Sequence, residues 1–586
     1  MTEATLSEDS KPAKKATRAP PLRLLKWIAA FAIPGLGMFN EAYYIFSVGN
    51  VKPIWTAEYP DCWVTNQTCK ANLLKGLDYS QVAGLFVGMV LMGLIVDRIG
   101  RRASSIGLAS AMFVGAILLT VATAPNPRGI FIFLIAVQAF FGMAVGGEFP
   151  VAASSAAERA EASEKLRTKR GQTVVLVFSM QAWGNILNLV VLIACIAGLN
   201  QGGPDFNPAR LGLTWRISYG VGIGPICLML YYRFARLKES AVWAKDKAGK
   251  KERKVEEGLA NPNAVQKRKA DKFRLALKVY GWRLLGTSLG WAAWDWYYYG
   301  QKLFQSEFIG VLHPGSNLLT NLEYNLLNSA VSAVGIYAAA FTIDLAWLGR
   351  KNMQAMGFFM IFVLFLISGA AYTSLISSPG GLKGFQFLYY FSSFWGQFGP
   401  NATTFILAAE LFPTEFRGRF HGISAAVGKL GALAADVILG QVSDRLKFYL
   451  SAAGGGVGLL VTLLFVADVT TLNLNEADRR WEAISSGHPE AYTGEALEWK
   501  NLSWLERWQG LHKQAAKSQP TAAVNGNVNG LQADGEIAEA NQNGMADSAS
   551  TTKGQQAAPS KQDQLAGSDR KQNGAAPEND EVQNTA

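Results

Sequence analysis

The chain has 586 residues, of which 49% are hydrophobic, 11% aromatic and only 17% charged. Those proportions exclude a string of water-soluble domains, because the apolar residues fall in runs of roughly 20, the length that crosses about 30 Å of hydrocarbon. The net charge of +11 is gathered in a few loops, so it reads as membrane topology and not as nucleic-acid binding.

In chain order, a basic tail at 1–23 carries Lys11, Lys14, Lys15, Arg18 and Arg23. The following apolar run, 24–48, is too long for a signal peptide and reads as a first retained span. Further spans are predicted at 80–96, 104–122, 130–157, 173–197 and 215–234, and then at 284–310, 326–343, 353–376, 385–412, 422–440 and 449–466. Six spans, a polar break and six more predict an all-α membrane protein of twelve transmembrane helices in two pseudo-symmetric halves, 24–234 and 284–466. The central loop, 235–283, is strongly basic. So are Arg98, Arg101 and Arg102 after the second span, and Arg350 and Lys351 after the eighth. By the positive-inside rule these loops and both termini are cytoplasmic.

The first loop on the opposite side holds Cys62 and Cys69 around the sequon Asn66-Gln67-Thr68. A disulfide and glycosylation at Asn66 both suit an oxidising compartment. The alternative is two free thiols beside an unused sequon. Past the last span, 467–517 interleaves tryptophans with charges and is predicted as a cytoplasmic amphipathic segment. The stretch 518–586, rich in Ala, Gln, Asn, Gly and Ser, has too few large apolar residues to bury a core and is predicted to be disordered.

The seventh span is the most informative. It carries Asp295 near its middle, and Trp291, Asp295 and Tyr299 recur at i, i+4 and i+8, which stacks them on one helical face. A carboxylate at that depth is costly and marks a bundle interior or polar path. Glu41 and Glu148 also lie inside spans, where burial disfavours the charged form, so all three acids are candidates to take up protons. Lys429 in the eleventh span supplies positive charge for an anion, with Asp295 as its partner when the site is empty. Asp436, seven residues on, shares its face, and His421 reads as structural.

Gly93, Asp97, Arg98, Gly100, Arg101 and Arg102 follow the second span. A looser echo, Asp344 to Arg350, follows the eighth. This pattern resembles the loop signature of the major facilitator superfamily, in which such residues latch the two halves. Within it, Gly146-Gly147-Glu148-Phe149-Pro150, Met180-Gln181, the seventh-span stripe, the block 398–405 and the block 421–429 resemble the fungal phosphate:proton symporters and their glycerophosphodiester-carrying relatives. The resemblance implies that Gln181, Trp291, Asp295, Tyr299, Asn401, Lys429 and Glu148 line an anion site. It places Glu41, Glu148 and Asp295 in proton coupling. Two positions depart from the pattern: Phe149 stands where the symporters have a tyrosine, and Tyr44 where a second acid is usual.

The expectation is a proton-coupled importer of an anion, foremost inorganic phosphate, working by alternating access. The alternatives are a carrier of glycerophosphodiesters or organic acids, or a nutrient receptor that signals without transport. No enzyme activity, metal or cofactor is expected, since the proton gradient supplies the drive. The expected partners are the anion, protons and lipid, with a monomer sufficient. The expected location is the plasma membrane.

Overall fold

A computed structural model describes residues 20–161, 169–201, 206–237, 262–303, 305–313 and 317–517, with Glu239 and Gly315 as isolated positions. The basic tail before 20, most of the central loop and the stretch 518–586 lie outside the described residues. The described chain through 517 belongs to one compact unit.

Among the described residues, eight helices are long and apolar enough to cross a membrane by length and composition. Four more spans complete twelve, and each is interrupted or made polar by identifiable residues. The first is broken into Pro20–Ala32, Leu36–Ile45 and Ser47–Glu58, with Pro34 and Gly35 at the first break. The seventh, Pro262–Leu303, starts among the lysines and arginines of the predicted central loop, 235–283. Those residues are good helix formers, so the span extends as one helix beyond the apolar stretch. The eighth, Leu318–Thr342, buries Asn325, Asn328, Ser329 and Ser332. The tenth runs from Pro379–Gly396 through a π turn at Gln397–Asn401 into Ala402–Glu410. Pro400 inside that turn lacks the N–H an α-helix would use there, and the wider turn accommodates its ring.

Close helix contacts explain the glycine content. A Cβ at Gly88 would lie 2.0 Å from the Met143 carbonyl oxygen, and one at Gly146 would lie 2.1 Å from that of Leu85. The second and fourth spans therefore meet backbone to backbone. Gly146, the first glycine of the fourth-span motif, serves this packing.

The halves meet near one end and again at mid-span. Gly93 of the second span faces Gly422 of the eleventh, with a Cβ on Gly93 falling 3.3 Å from the Gly422 Cα. From the middle of the fifth span to the eighth, Asn185 donates to Ser329 Oγ at 2.7 Å and Trp183 Nε1 to the Tyr337 hydroxyl at 2.8 Å.

The loop after the first span carries a Cys62–Cys69 disulfide. Between them Asn66 is exposed with φ +53°, a left-handed position that asparagine tolerates better than most residues. Segment 467–517 forms the helix Leu474–Ser485, which buries Leu474, Ala477 and Trp481, followed by short 3-10 turns and the short helices Trp504–Trp508 and His512–Lys517. Trp481 is buried and donates to Glu415 Oε2 at 2.8 Å, whereas Trp499, Trp504 and Trp508 are exposed. Arg283 grips Glu506 at 2.7 and 3.1 Å, and the Asp478 carboxylate accepts from the Thr414 N–H at 2.6 Å at the start of the eleventh span. The segment is thus held on the bundle both by these polar contacts and by buried apolar residues, among them Leu474, Trp481, Leu497 and Leu502.

Candidate substrate cavity

The stripe on the seventh helix faces the eleventh. Lys429 donates to Asp295 Oδ2 at 2.9 Å and to the Tyr299 hydroxyl at 3.0 Å, and its ammonium sits 4.3 Å from the Tyr299 ring centroid. All three residues are buried. A Cβ on Gly428 would lie 2.7 Å from Trp291, so glycine beside the lysine is what lets the seventh helix come this close.

The cluster forms one wall of a small central cavity, whose lining also includes Glu41, Gln181, Asn401 and Phe149. Gln181 is the hub of the opposite wall. Its amide nitrogen donates to Glu41 Oε1 at 3.3 Å, and its oxygen accepts from Asn401 Nδ2 at 3.3 Å. Glu41 Oε2 has no hydrogen-bond partner among the described residues. Asn401 donates as well to Gln397 Oε1 at 2.5 Å, inside the π turn. Aromatic rings close the remaining side: Phe149 lies 6.3 Å from Trp291 and 5.6 Å from the Lys429 ammonium, and Phe405 stacks on Phe178 at 4.8 Å. His421 is wedged edge-on against Trp291 at 5.4 Å and Phe405 at 5.3 Å, within the body of its helix.

The cavity gathers Glu41, Gln181, Trp291, Asp295, Tyr299, Asn401 and Lys429. It does not gather Glu148. That carboxylate is gripped by Arg233 of the sixth span, with Nη1 to Oε2 at 3.0 Å and Nη2 to Oε1, while Nη1 also donates to the Ser105 carbonyl at 2.7 Å. Glu148 lines a separate small pocket beside Gly37 and Phe178. The Tyr44 hydroxyl, at the position where a second acid was expected, donates to the Tyr219 carbonyl at 2.7 Å within its own half.

The repeated loop motif also resolves into contacts. In the first copy, Gly100 takes φ +101° and the N–H groups of Arg101 and Arg102 donate to the Glu239 carboxylate at 2.8 and 3.2 Å. This is an acid at a helix N-terminus. The side chains of Asp97 and Arg98 lie outside the described ones. In the second copy, Gly349 takes φ +63° and Arg350 pairs with Asp344 at 2.9 Å and Glu410 at 3.2 Å. Glu410 also accepts from Arg170 at 2.6 and 3.1 Å, and Asp344 accepts from the N–H groups of Gly171 and Gln172 at 3.0 and 2.8 Å. Arg170 opens the fifth span and the others belong to the C-terminal half, so this network ties the two halves together.

The family model described as "Sugar (and other) transporter" matches residues 32–481, most of the chain. The chain belongs to that transporter family. Members of the sugar (and other) transporter family are carriers and not enzymes. Among similar proteins, inorganic phosphate transporter 1-2 of Oryza sativa subsp. japonica is 28% identical over 501 residues, spanning 77% of this chain and 93% of that relative. Probable inorganic phosphate transporter 1-6 of Arabidopsis thaliana is 27% identical over 483 residues, spanning 76% and 90%. Among solved structures, the major facilitator superfamily proton:xylose symporter XylE bound to 6-bromo-6-deoxy-D-glucose superposes with a TM-score of 0.61 at 17% identity, covering 78% of this chain and 99% of that one. The inward open conformation of XylE from E. coli gives a TM-score of 0.53 at 20% identity, covering 78% and 100%. These likenesses establish the twelve-helix major facilitator fold of an integral membrane transporter.

Sequence reasoning missed two participants. Arg233 is the partner of Glu148, but an arginine in the last turn of a span reads as an ordinary positive-inside charge. Gln397, which fixes Asn401, was one polar residue among aromatics. The signal available for it was Pro400 three residues later, which forces an irregular turn.

Proposed function

We propose that this protein imports inorganic phosphate together with protons by alternating access. The observation that carries the reading is the Lys429 ammonium, shared between Asp295 and Tyr299 in the wall of a buried cavity. A buried cation needs an anionic partner, and breaking such a pair by removing one member typically costs about 3–5 kcal/mol. Protonation of Asp295 removes the negative charge that engages Lys429, and the ammonium is then satisfied by the incoming oxyanion. Tyr299, Gln181 and Asn401 offer neutral hydrogen-bond donors around it, and Glu41, with one carboxylate oxygen unengaged among the described residues, is a second site for a proton. Proton and anion thus enter together, because either alone leaves an unpaired charge in the membrane interior.

Opening at one end requires breaking the network of Arg170, Glu410, Arg350 and Asp344 and parting the Gly93 and Gly422 contact near that same end. One chain supplies every residue of the cavity, so a monomer suffices. Relatives named as inorganic phosphate transporters support phosphate over other anions. Import across the plasma membrane fits the same reading.

The test is uptake of radiolabelled phosphate in cells lacking their own carriers, at acidic and neutral outside pH. Uptake that rises in acid and resists excess glycerophosphodiester and dicarboxylate is the expected result. One observation favours a second reading, a larger phosphate ester or organic acid: Phe149 presents a ring without a hydroxyl to Lys429. Competition by those compounds, or no phosphate uptake from a surface-expressed protein, would select it.

A further inference from the structure

A second, small polar cavity lies within the C-terminal half, between the seventh, eighth and tenth spans. It shares Trp294 and Tyr298 with the central cavity, and Gln397, which also lines it, bonds Asn401 of that cavity. The two spaces are therefore neighbours across one aromatic wall, where Trp294 and Tyr298 stack at 4.8 Å.

Its lining is unusual for a place buried in a membrane protein. Lys302 is 9% exposed and lies one helical turn beyond Tyr299. The Tyr389 hydroxyl, Gln301 Oε1 and Asn328 Oδ1 have no hydrogen-bond partner among the described residues, and each of these residues is more than nine-tenths buried. A buried polar atom without a partner typically costs about 1–3 kcal/mol, so three around one cavity call for a polar occupant. A lysine and a phenol can donate, while two amide oxygens can accept. That set complements an oxyanion that still carries a proton, such as monovalent or divalent phosphate, better than a metal ion or an apolar ligand.

The position fixes its place in the path. The short helix Gln305–Leu312, which follows Lys302, packs against Ser47–Glu58, the helix leading into the Cys62–Cys69 loop. The cavity therefore lies between the central site and the disulfide-bearing end of the bundle.

We propose that this cavity is a second oxyanion subsite, where phosphate pauses on its way from the disulfide-bearing end to Lys429. It rests on the phosphate reading above. Lys302 and Lys429 lie on opposite sides of the shared wall, so the anion passes from one ammonium to the next without being stripped of positive partners.

The experiment is initial-rate phosphate uptake as a function of phosphate concentration for wild type, Lys302→Gln, Lys302→Arg and Tyr389→Phe, each normalised to surface protein. The expected result is a KM raised about fivefold or more by Lys302→Gln and about threefold by Tyr389→Phe, with the maximal rate falling less than KM rises, and recovery by Lys302→Arg. Tyr389→Phe keeps the test open if Lys302→Gln does not reach the surface. It deletes a hydroxyl without a hydrogen-bond partner among the described residues, so a merely structural role would leave KM alone. An unchanged KM in Tyr389→Phe would overturn the subsite and mean that the cavity holds water only. Absence of saturable phosphate uptake by the wild type would overturn the phosphate reading itself, and the subsite as a phosphate site with it.

Discussion

Of the buried acid–base pairs in this bundle, two that lie within single halves, Glu148 with Arg233 and Asp295 with Lys429, are built differently. Glu148 in the N-terminal half is held by the planar fork of Arg233, both carboxylate oxygens engaged and one guanidinium nitrogen also tied to the Ser105 carbonyl. Asp295 in the C-terminal half meets Lys429 through one oxygen at 2.9 Å, and the same ammonium leans on Tyr299. A guanidinium is always charged and its fork matches a carboxylate rigidly, whereas an ammonium is a point charge on a flexible stem that can change partners. An acid inside a span is therefore no sign of function by itself. The geometry of its base separates a fixed brace from an exchangeable contact.

The largest expected effect falls on the brace. Arg233→Met leaves the Glu148 carboxylate buried and unpaired, and should destabilise the protein by about 3–5 kcal/mol. A drop in the detergent melting temperature and in surface yield would report it, and adding Glu148→Leu should recover much of the loss. The exchangeable pair should behave in the opposite way. Asp295→Asn is expected to cut uptake on the order of a hundredfold and to abolish its rise in acid, with a smaller change in melting temperature because Tyr299 still engages Lys429. If Asp295→Asn proved the more destabilising of the two, the distinction between brace and contact would fall.

A smaller effect is expected at Phe149, 5.6 Å from the Lys429 ammonium. Phe149→Tyr adds a hydroxyl toward the cavity and should shift competition between phosphate and bulkier phosphate esters several-fold in favour of phosphate, read as inhibition constants in the same uptake assay. The smallest concerns a third pair, Glu506 with Arg283, outside the cavity. Burial pushes the Glu506 carboxyl up, but the Arg283 charge and hydrogen bonds outweigh it and hold the group below its ordinary 4.5. A lowered carboxyl contributes stability above its unfolded value and loses it as pH falls through the folded one. Segment 467–517 should thus resist protease at neutral pH and become cleavable only below about pH 4.3. Glu506→Gln should make it cleavable at neutral pH.

Much of this was legible from the chain because a membrane makes charge conspicuous. Asp295 and Lys429 stand out against apolar neighbours, and the 3.6-residue period alone aligns Trp291 and Tyr299 with Asp295. The twelve-span order followed from hydropathy and from the basic loops. What escaped was pairing across sequence. Glu148 looked like Asp295 until Arg233, 85 residues away, came into contact with it. The π turn around Pro400, which sets Asn401 beside Gln181, depends on helix packing that no local pattern encodes. In segment 467–517 the tryptophans alone do not show what anchors it: three of the four are exposed, while Trp481, Leu474, Leu497 and Leu502 are buried and Glu506 and Asp478 make the polar contacts.

Arg170 does more than reach Glu410. Its guanidinium also donates to the backbone carbonyls of Val469 and Leu472 at 3.3 and 3.4 Å, and the Thr470 hydroxyl accepts from the Arg350 N–H at 2.9 Å. The chain leaving the last span is thereby threaded through the clasp between the halves. Parting the halves at that end must loosen this threaded backbone as well, so the opening step has the character of a small local melting. Its rate should climb steeply with temperature, and whatever grips or frees the polypeptide just beyond Val466 acts as a throttle on the transport cycle.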